Sequence, residues 1–174
     1  MSFMDRLFSF EGRLRRRDWW LLGIGLGVIN YVITQVVAPM VLGADGRPQI
    51  TPGSFMPIYP VPLLAIMLGM SALMIWPSLA MAVKRAHDRN TSGKLFIVLT
   101  VVNIFLSWPA IVLGSFSGEM PMGLFWASTA ISAVIGLYCL VVLGFLDGTQ
   151  GPNSYGPSPK GVAGQAAAVA NEFS

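Results

Sequence analysis

The chain has 174 residues, 54% of them hydrophobic and 11% charged, and eleven Lys and Arg against eight Asp and Glu give a net charge of +3. Soluble domains carry roughly a quarter charged residues, so this composition excludes one. The basic residues flank apolar runs instead of lining an exposed face, which excludes a nucleic-acid binder and leaves topology and anionic headgroups to account for them.

In chain order, Phe3, Met4, Leu7, Phe8 and Phe10 recur at helix-like intervals beside Asp5 and Arg6. This predicts a short amphipathic segment in the headgroup layer. Four long apolar stretches follow, at about 19–42, 61–83, 95–116 and 122–146. Each has about 20 residues or more, enough to cross a hydrocarbon layer of roughly 30 Å. The first is too long for a signal peptide and lacks a small-residue cleavage site, so it is expected to remain as an anchor and first span. Trp19 and Trp20 enter it directly after a run of arginines, as an aromatic interface anchor does. Pro77 and Pro109 fall inside the second and third stretches, where a missing backbone donor predicts a bend. The expected fold is an all-α membrane protein: one four-helix transmembrane domain over 1–160 and a disordered tail over 161–174.

Arg6, Arg13, Arg15, Arg16 and Arg17 precede the first stretch, Lys84, Arg85, Arg89 and Lys94 separate the second from the third, and Lys160 follows the fourth. Only Arg47 lies in an opposite gap. Because short loops rich in Lys and Arg stay on the cytoplasmic side, both termini and the middle loop are expected there, in a plasma membrane crossed four times.

Three polar segments share that side: Phe10–Trp20, Lys84–Gly93 and Gly151–Pro159. The first holds Gly12, Arg13, Arg16, Trp19 and Trp20, the second Arg85, His87, Asp88, Ser92 and Gly93, and the third Gly151, Asn153, Tyr155 and Gly156. In these ordered motifs the chain resembles the bacterial inner-membrane proteins grouped as domain of unknown function 805, over about Phe8 to Pro159. It departs from the family pattern at Lys84, Ala86 and Lys94. The resemblance implies four spans and the inner membrane, and it implies no activity.

The cluster has three readings. Asp88 can hold the guanidinium of Arg13 or Arg16, a structural latch between the amino-terminal segment and the end of the second span. Arg13, Arg16 and Arg85, with His87, Asn153 and Tyr155 at the edge, can instead hold an anionic lipid headgroup or phosphate. Catalysis would need Ser92, His87 and a carboxylate to converge within about 3 Å. Neighbouring helical residues such as His87 and Asp88 point about 100° apart and do not form a base and its orienting acid. No catalytic residue is assigned. With one cysteine, Cys139, and one histidine, no metal site or cofactor is expected either.

Within the apolar stretches stand Asn30, Gln35 and Asn103 but no central ionisable residue, which argues against ion-coupled transport. Gly23 with Gly27, and Ser128 with Ser132 and Gly136, have the spacing of close helix packing, expected inside the bundle. The functional expectation is a non-enzymatic bundle interacting with membrane lipids through a basic cytoplasmic face. A membrane-protein partner or a homo-oligomer is left open. The alternative is a small transporter or channel for a neutral solute or ion, past Gln35 and Asn103.

Overall fold

The computed structural model describes residues 2–43, 47–49, 57–117 and 122–159, so the expected tail lies outside the described residues. Among these the chain is helical, with two isolated bridges and no strand. Helix α1 is Phe3–Phe8. Helix α2 is the continuous Arg16–Leu42 stretch, with a π-helical turn over Val32–Val37. Helix α3 is Val61–Asp88 and α4 is Lys94–Ser117, and both run on past the prolines they contain. Helix α5, Met122–Cys139, continues into a second π-helical turn over Leu140–Phe145.

Among the described residues three helical stretches are long and apolar enough to cross a membrane: Arg16–Leu42, Val61–Asp88 and Gly123–Phe145. A shorter apolar one is Lys94–Pro109. At most 22% of any of the three apolar windows is buried, and Met40, Val41, Leu73, Phe105 and Val134 are each 68% exposed or more. Apolar surface this continuous is incompatible with water and suits a hydrocarbon solvent.

The chain forms two compact units. The first comprises Met1–Gly23, Trp76–Val98 and the chain from Tyr138 on; the second comprises Ile24–Ile75 and Leu99–Leu137. In the first, Ala86, Phe96 and Leu143 form a buried core against Trp19, Ala82, Cys139 and Val142. In the second, the hydroxyls of Thr34, Ser71 and Ser107 each donate to the carbonyl one turn back, at 2.7 to 2.8 Å, which satisfies them where no water is at hand. Gly23, Gly27 and Gly136 were expected at close helix contacts, yet a Cβ on any of them would meet nothing within 4 Å. The spacing that permits close approach does not create a neighbour.

Local chemistry sets two helix ends in the first unit. Ser2 and Asp5 form a reciprocal capping box at α1, the Asp5 N–H donating to the Ser2 hydroxyl at 3.1 Å and the Ser2 N–H to the Asp5 carboxylate at 2.9 Å. The backbone bond from Ser2, more than the hydroxyl, lowers the Asp5 carboxyl below its ordinary value. The cap is therefore in force above that value and is lost as pH falls through the lowered one. At the end of α3 the Thr91 N–H bonds the Ala86 carbonyl and the Asn90 N–H the His87 carbonyl, with Asn90 at φ 60°. This is a Schellman stop carried by asparagine, a residue whose short polar side chain tolerates left-handed backbone.

A β-branched residue does not tolerate it. Asn90→Val is expected to lower stability by about 1–2 kcal/mol while Asn90→Gly leaves it nearly unchanged, read from thermal unfolding in detergent.

Candidate functional site

The Schellman stop ends α3 three residues after Arg85, so Arg85 and Asp88, at i and i+3, share one helix face. Gly12 at φ 83° turns the amino-terminal segment, and the Leu14 N–H docks on the Lys84 carbonyl at 3.2 Å. Arg13 is thereby delivered to Asp88. Its Nε donates to Asp88 Oδ1 at 3.0 Å and its Nη2 lies 2.9 Å from the same oxygen. The other oxygen, Oδ2, accepts from Arg85 Nη1. The three side chains are 2%, 4% and 0% exposed in the order Arg13, Asp88, Arg85. One carboxylate thus separates two buried guanidiniums.

The surplus positive charge is met by backbone carbonyls. Arg13 Nη1 donates to Gly151 O and Nη2 to Thr149 O, each at 2.7 Å. Arg85 Nε donates to Leu143 O at 2.8 Å and its Nη2 to Leu146 O. The Leu143 and Leu146 carbonyls belong to the last turn of the α5 extension, the negative end of a helix dipole. Five successive carbonyls there receive side-chain donors: Val142 from Arg89, Leu143 from Arg85, Gly144 from Trp20, Phe145 from Arg16, and Leu146 from Arg85 again. Groups that a helix end leaves orphaned are satisfied without water.

Glycine is required at two close approaches. A Cβ at Gly148 would overlap the Asp88 carboxylate, and one at Gly144 would sit 3.0 Å from the Trp20 ring and 3.1 Å from Trp19. Trp19 and Trp20, read from sequence as a depth anchor, therefore also form one wall of the helix end, with the Trp20 indole N–H donating to Gly144 O at 3.0 Å.

The third motif, with Thr149 just before it, clamps the end of α3. Thr149 donates its N–H at 2.8 Å and its hydroxyl at 3.0 Å to the Asp88 carbonyl. Asn153 Nδ2 donates to the His87 carbonyl and to the Thr149 hydroxyl, both at 2.8 Å, while its Oδ1 accepts the Tyr155 N–H at 2.9 Å. The His87 ring stacks on Tyr155 at 3.9 Å with 7° between planes, and its Nδ1 faces the Gly12 carbonyl at 3.2 Å, which assigns the proton to Nδ1. Tyr155 contributes its ring here.

Arg13, Arg85, His87, Asp88, Asn153 and Tyr155 are thus brought together, and Arg16 stands apart. Arg16 is half exposed, donates to Phe145 O at 3.0 Å and lies 3.6 Å from Asp147. Sequence reasoning passed over two members. Lys84 is fully buried and donates to the Asp5 and Arg6 carbonyls, closing the end of α1. Trp76 donates to Phe8 O at 3.0 Å and meets Phe10 edge to face at 5.1 Å. The available signal for Lys84 was its departure from the family pattern; for Trp76, an indole beside a proline gave none.

Chemically the cluster is closed. Both Asp88 oxygens are occupied by guanidiniums and the imidazole bonds a backbone carbonyl, so no base is oriented by an acid here. Among the described residues no buried side-chain nitrogen or oxygen lacks a partner, and no group of three His, Cys, Asp or Glu could hold a metal.

Long helices with exposed apolar flanks, and arginines neutralised internally by a carboxylate and carbonyls, define a helical membrane protein. The chain belongs to the DUF805 family, described as a protein of unknown function, whose model matches residues 7–157. It is 31% identical over 166 residues to the uncharacterized protein YiiR of Escherichia coli K12, covering 93% of each chain. To the inner membrane protein YhaI of the same organism it is 22% identical over 160 residues, covering 92% of this chain and 93% of that one. No solved structure matches.

Removing the shared anion leaves two buried cations facing each other. Asp88→Ala is expected to destabilise by about 3–5 kcal/mol and to expose the chain near Arg13 to protease; unchanged melting and unchanged protection in detergent would refute the latch. Gly148→Ala, which carries no charge, is expected to show the same protease sensitivity through steric displacement of Asp88.

Proposed function

We propose that the protein is a non-enzymatic integral protein of the bacterial inner membrane, crossing it four times with both termini in the cytoplasm. The latch fixes the helix ends as a rigid platform on which the basic cytoplasmic face meets membrane lipids or a membrane-protein partner. The observation that carries this reading is the saturation of Arg13 and Arg85 by internal acceptors at near-complete burial. Guanidiniums committed in this way hold structure together, with an internal acceptor on every nitrogen.

Placement in the inner membrane is supported by the three long apolar stretches and by the relative called an inner membrane protein. The fourth crossing is assigned to α4, whose 24 residues are long enough for it. The orientation follows from ten of the eleven Lys and Arg lying outside the gap that holds Arg47. Reporter fusions at the two termini are expected to be active only as cytoplasmic reporters. Termini on opposite faces, or both outside, would overturn the reading.

One observation favours the transport alternative. In the second unit a cavity of about 420 Å³ is lined by Asn30, Tyr31, Thr34, Gln35, Met67 and Ser71 beside the π-helical turn of α2. Such turns are frequent at functional sites. Asn103, expected on the same path, does not line it. Under this alternative Gln35→Leu abolishes flux of a small neutral solute into proteoliposomes; under the platform reading wild type and variant are equally silent.

A further inference from the structure

The latch withdraws Arg13 and Arg85 from ligand binding, Arg16 is spent on the Phe145 carbonyl and Asp147, and other arginines of the same segment lie outside these contacts. A cavity of about 320 Å³ in the first unit is lined by Arg6, Arg13, Arg15, Arg17 and Asp18. A water molecule occupies about 30 Å³ of liquid, so a phosphate group with its ester substituents fits. Arg13 is neutralised by Asp88. Among the described residues Asp18 is the only acid on the lining, and it lies 3.7 Å from both Arg6 and Arg17, attraction without a hydrogen bond. Arg15 is half-buried, and among the described residues its side chain makes no hydrogen bond or ion pair. Three arginines thus share one concave surface with a single carboxylate, which approaches two of them.

We propose that Arg6, Arg15 and Arg17 form a binding site for a phosphate-bearing anion. Guanidiniums pair with phosphate oxygens two bonds at a time, and three arginines lining one concave surface match a phosphate diester or monoester better than a carboxylate. The site also lies where α2 begins, at Arg16, so the positive end of that helix dipole adds to the field. The neighbouring helix α1 exposes Phe3 and Met4, each at 64%, and Phe8 at 50%. An apolar face beside a cluster of arginines suits the boundary between acyl chains and headgroups. This rests on the membrane-platform reading and specifies its ligand, which has two possible sources: an anionic lipid headgroup or a soluble phosphate.

The test is lipid retention in native mass spectrometry of the full chain from nanodiscs of equal phosphatidylglycerol and phosphatidylcholine, paired with calorimetric titration of inorganic phosphate in zwitterionic detergent. Enrichment of phosphatidylglycerol is expected to fall about tenfold in the Arg6→Gln, Arg15→Gln, Arg17→Gln triple variant, as loss of charge-assisted bonds implies. Arg17→Gln, at a side chain 78% exposed, cannot compromise folding and is expected to show part of that loss at wild-type melting temperature. Lys94→Gln removes one exposed charge and is expected to change enrichment less than about twofold. If phosphate binds with the same arginine dependence while phosphatidylglycerol is not enriched, the site stands and its ligand is soluble. If Arg17→Gln and Lys94→Gln reduce enrichment equally, or the triple variant enriches like wild type, the pocket is not the site, while the platform reading survives. If wild type neither enriches the anionic lipid nor binds phosphate, the pocket and the lipid-contact reading fail together.

Discussion

A single carboxylate with a guanidinium on each oxygen sets the geometry of everything around it. Asp88 faces Arg13 and Arg85 at near-complete burial, an arrangement in which desolvation works against all three charges. It holds because the partners arrive from three parts of the chain at once: Arg13 from the segment before α2, Arg85 and Asp88 from the end of α3, and the carbonyls of Thr149 and Gly151 from the chain beyond α5. Any one part missing leaves a buried charge or a buried carbonyl unmet. The unit is therefore cooperative by electrostatics as much as by its small apolar core.

The same solution recurs at each helix end nearby. Basic and indole donors seek carbonyls that a terminating helix cannot pair: Arg89, Arg85, Trp20 and Arg16 on α5, Lys84 on α1, Trp76 on the residue closing α1. A hydrated helix end would leave such groups to water. In a low-water environment each must be answered by the protein, which explains why this small chain commits so many cationic side chains to its own backbone.

That commitment divides the arginines by role. Arg13 and Arg85 are consumed by structure, and Arg6, Arg15 and Arg17 line the concave surface proposed as an anion site. Arg13 and Arg15 are two residues apart, yet one has its guanidinium saturated and the other none of it.

The apolar runs, their lengths and the asymmetry of Lys and Arg were legible in the sequence because hydrophobicity and charge act residue by residue. The three polar segments were legible as motifs, and a pairing of Asp88 with Arg13 or Arg16 followed from opposite charge alone. Choosing between those arginines required the tertiary structure: Arg16 starts α2 and is carried to the Phe145 carbonyl, whereas Arg13 precedes the helix and is turned inward. The acceptors of Lys84 and Trp76 and the row of carbonyls at the end of α5 were invisible for the same reason, since a backbone acceptor has no letter in the sequence. Composition determined the solvent this chain requires; only the fold decided which cations face carbonyls and which remain open, because that depends on distances between segments that sequence order does not encode.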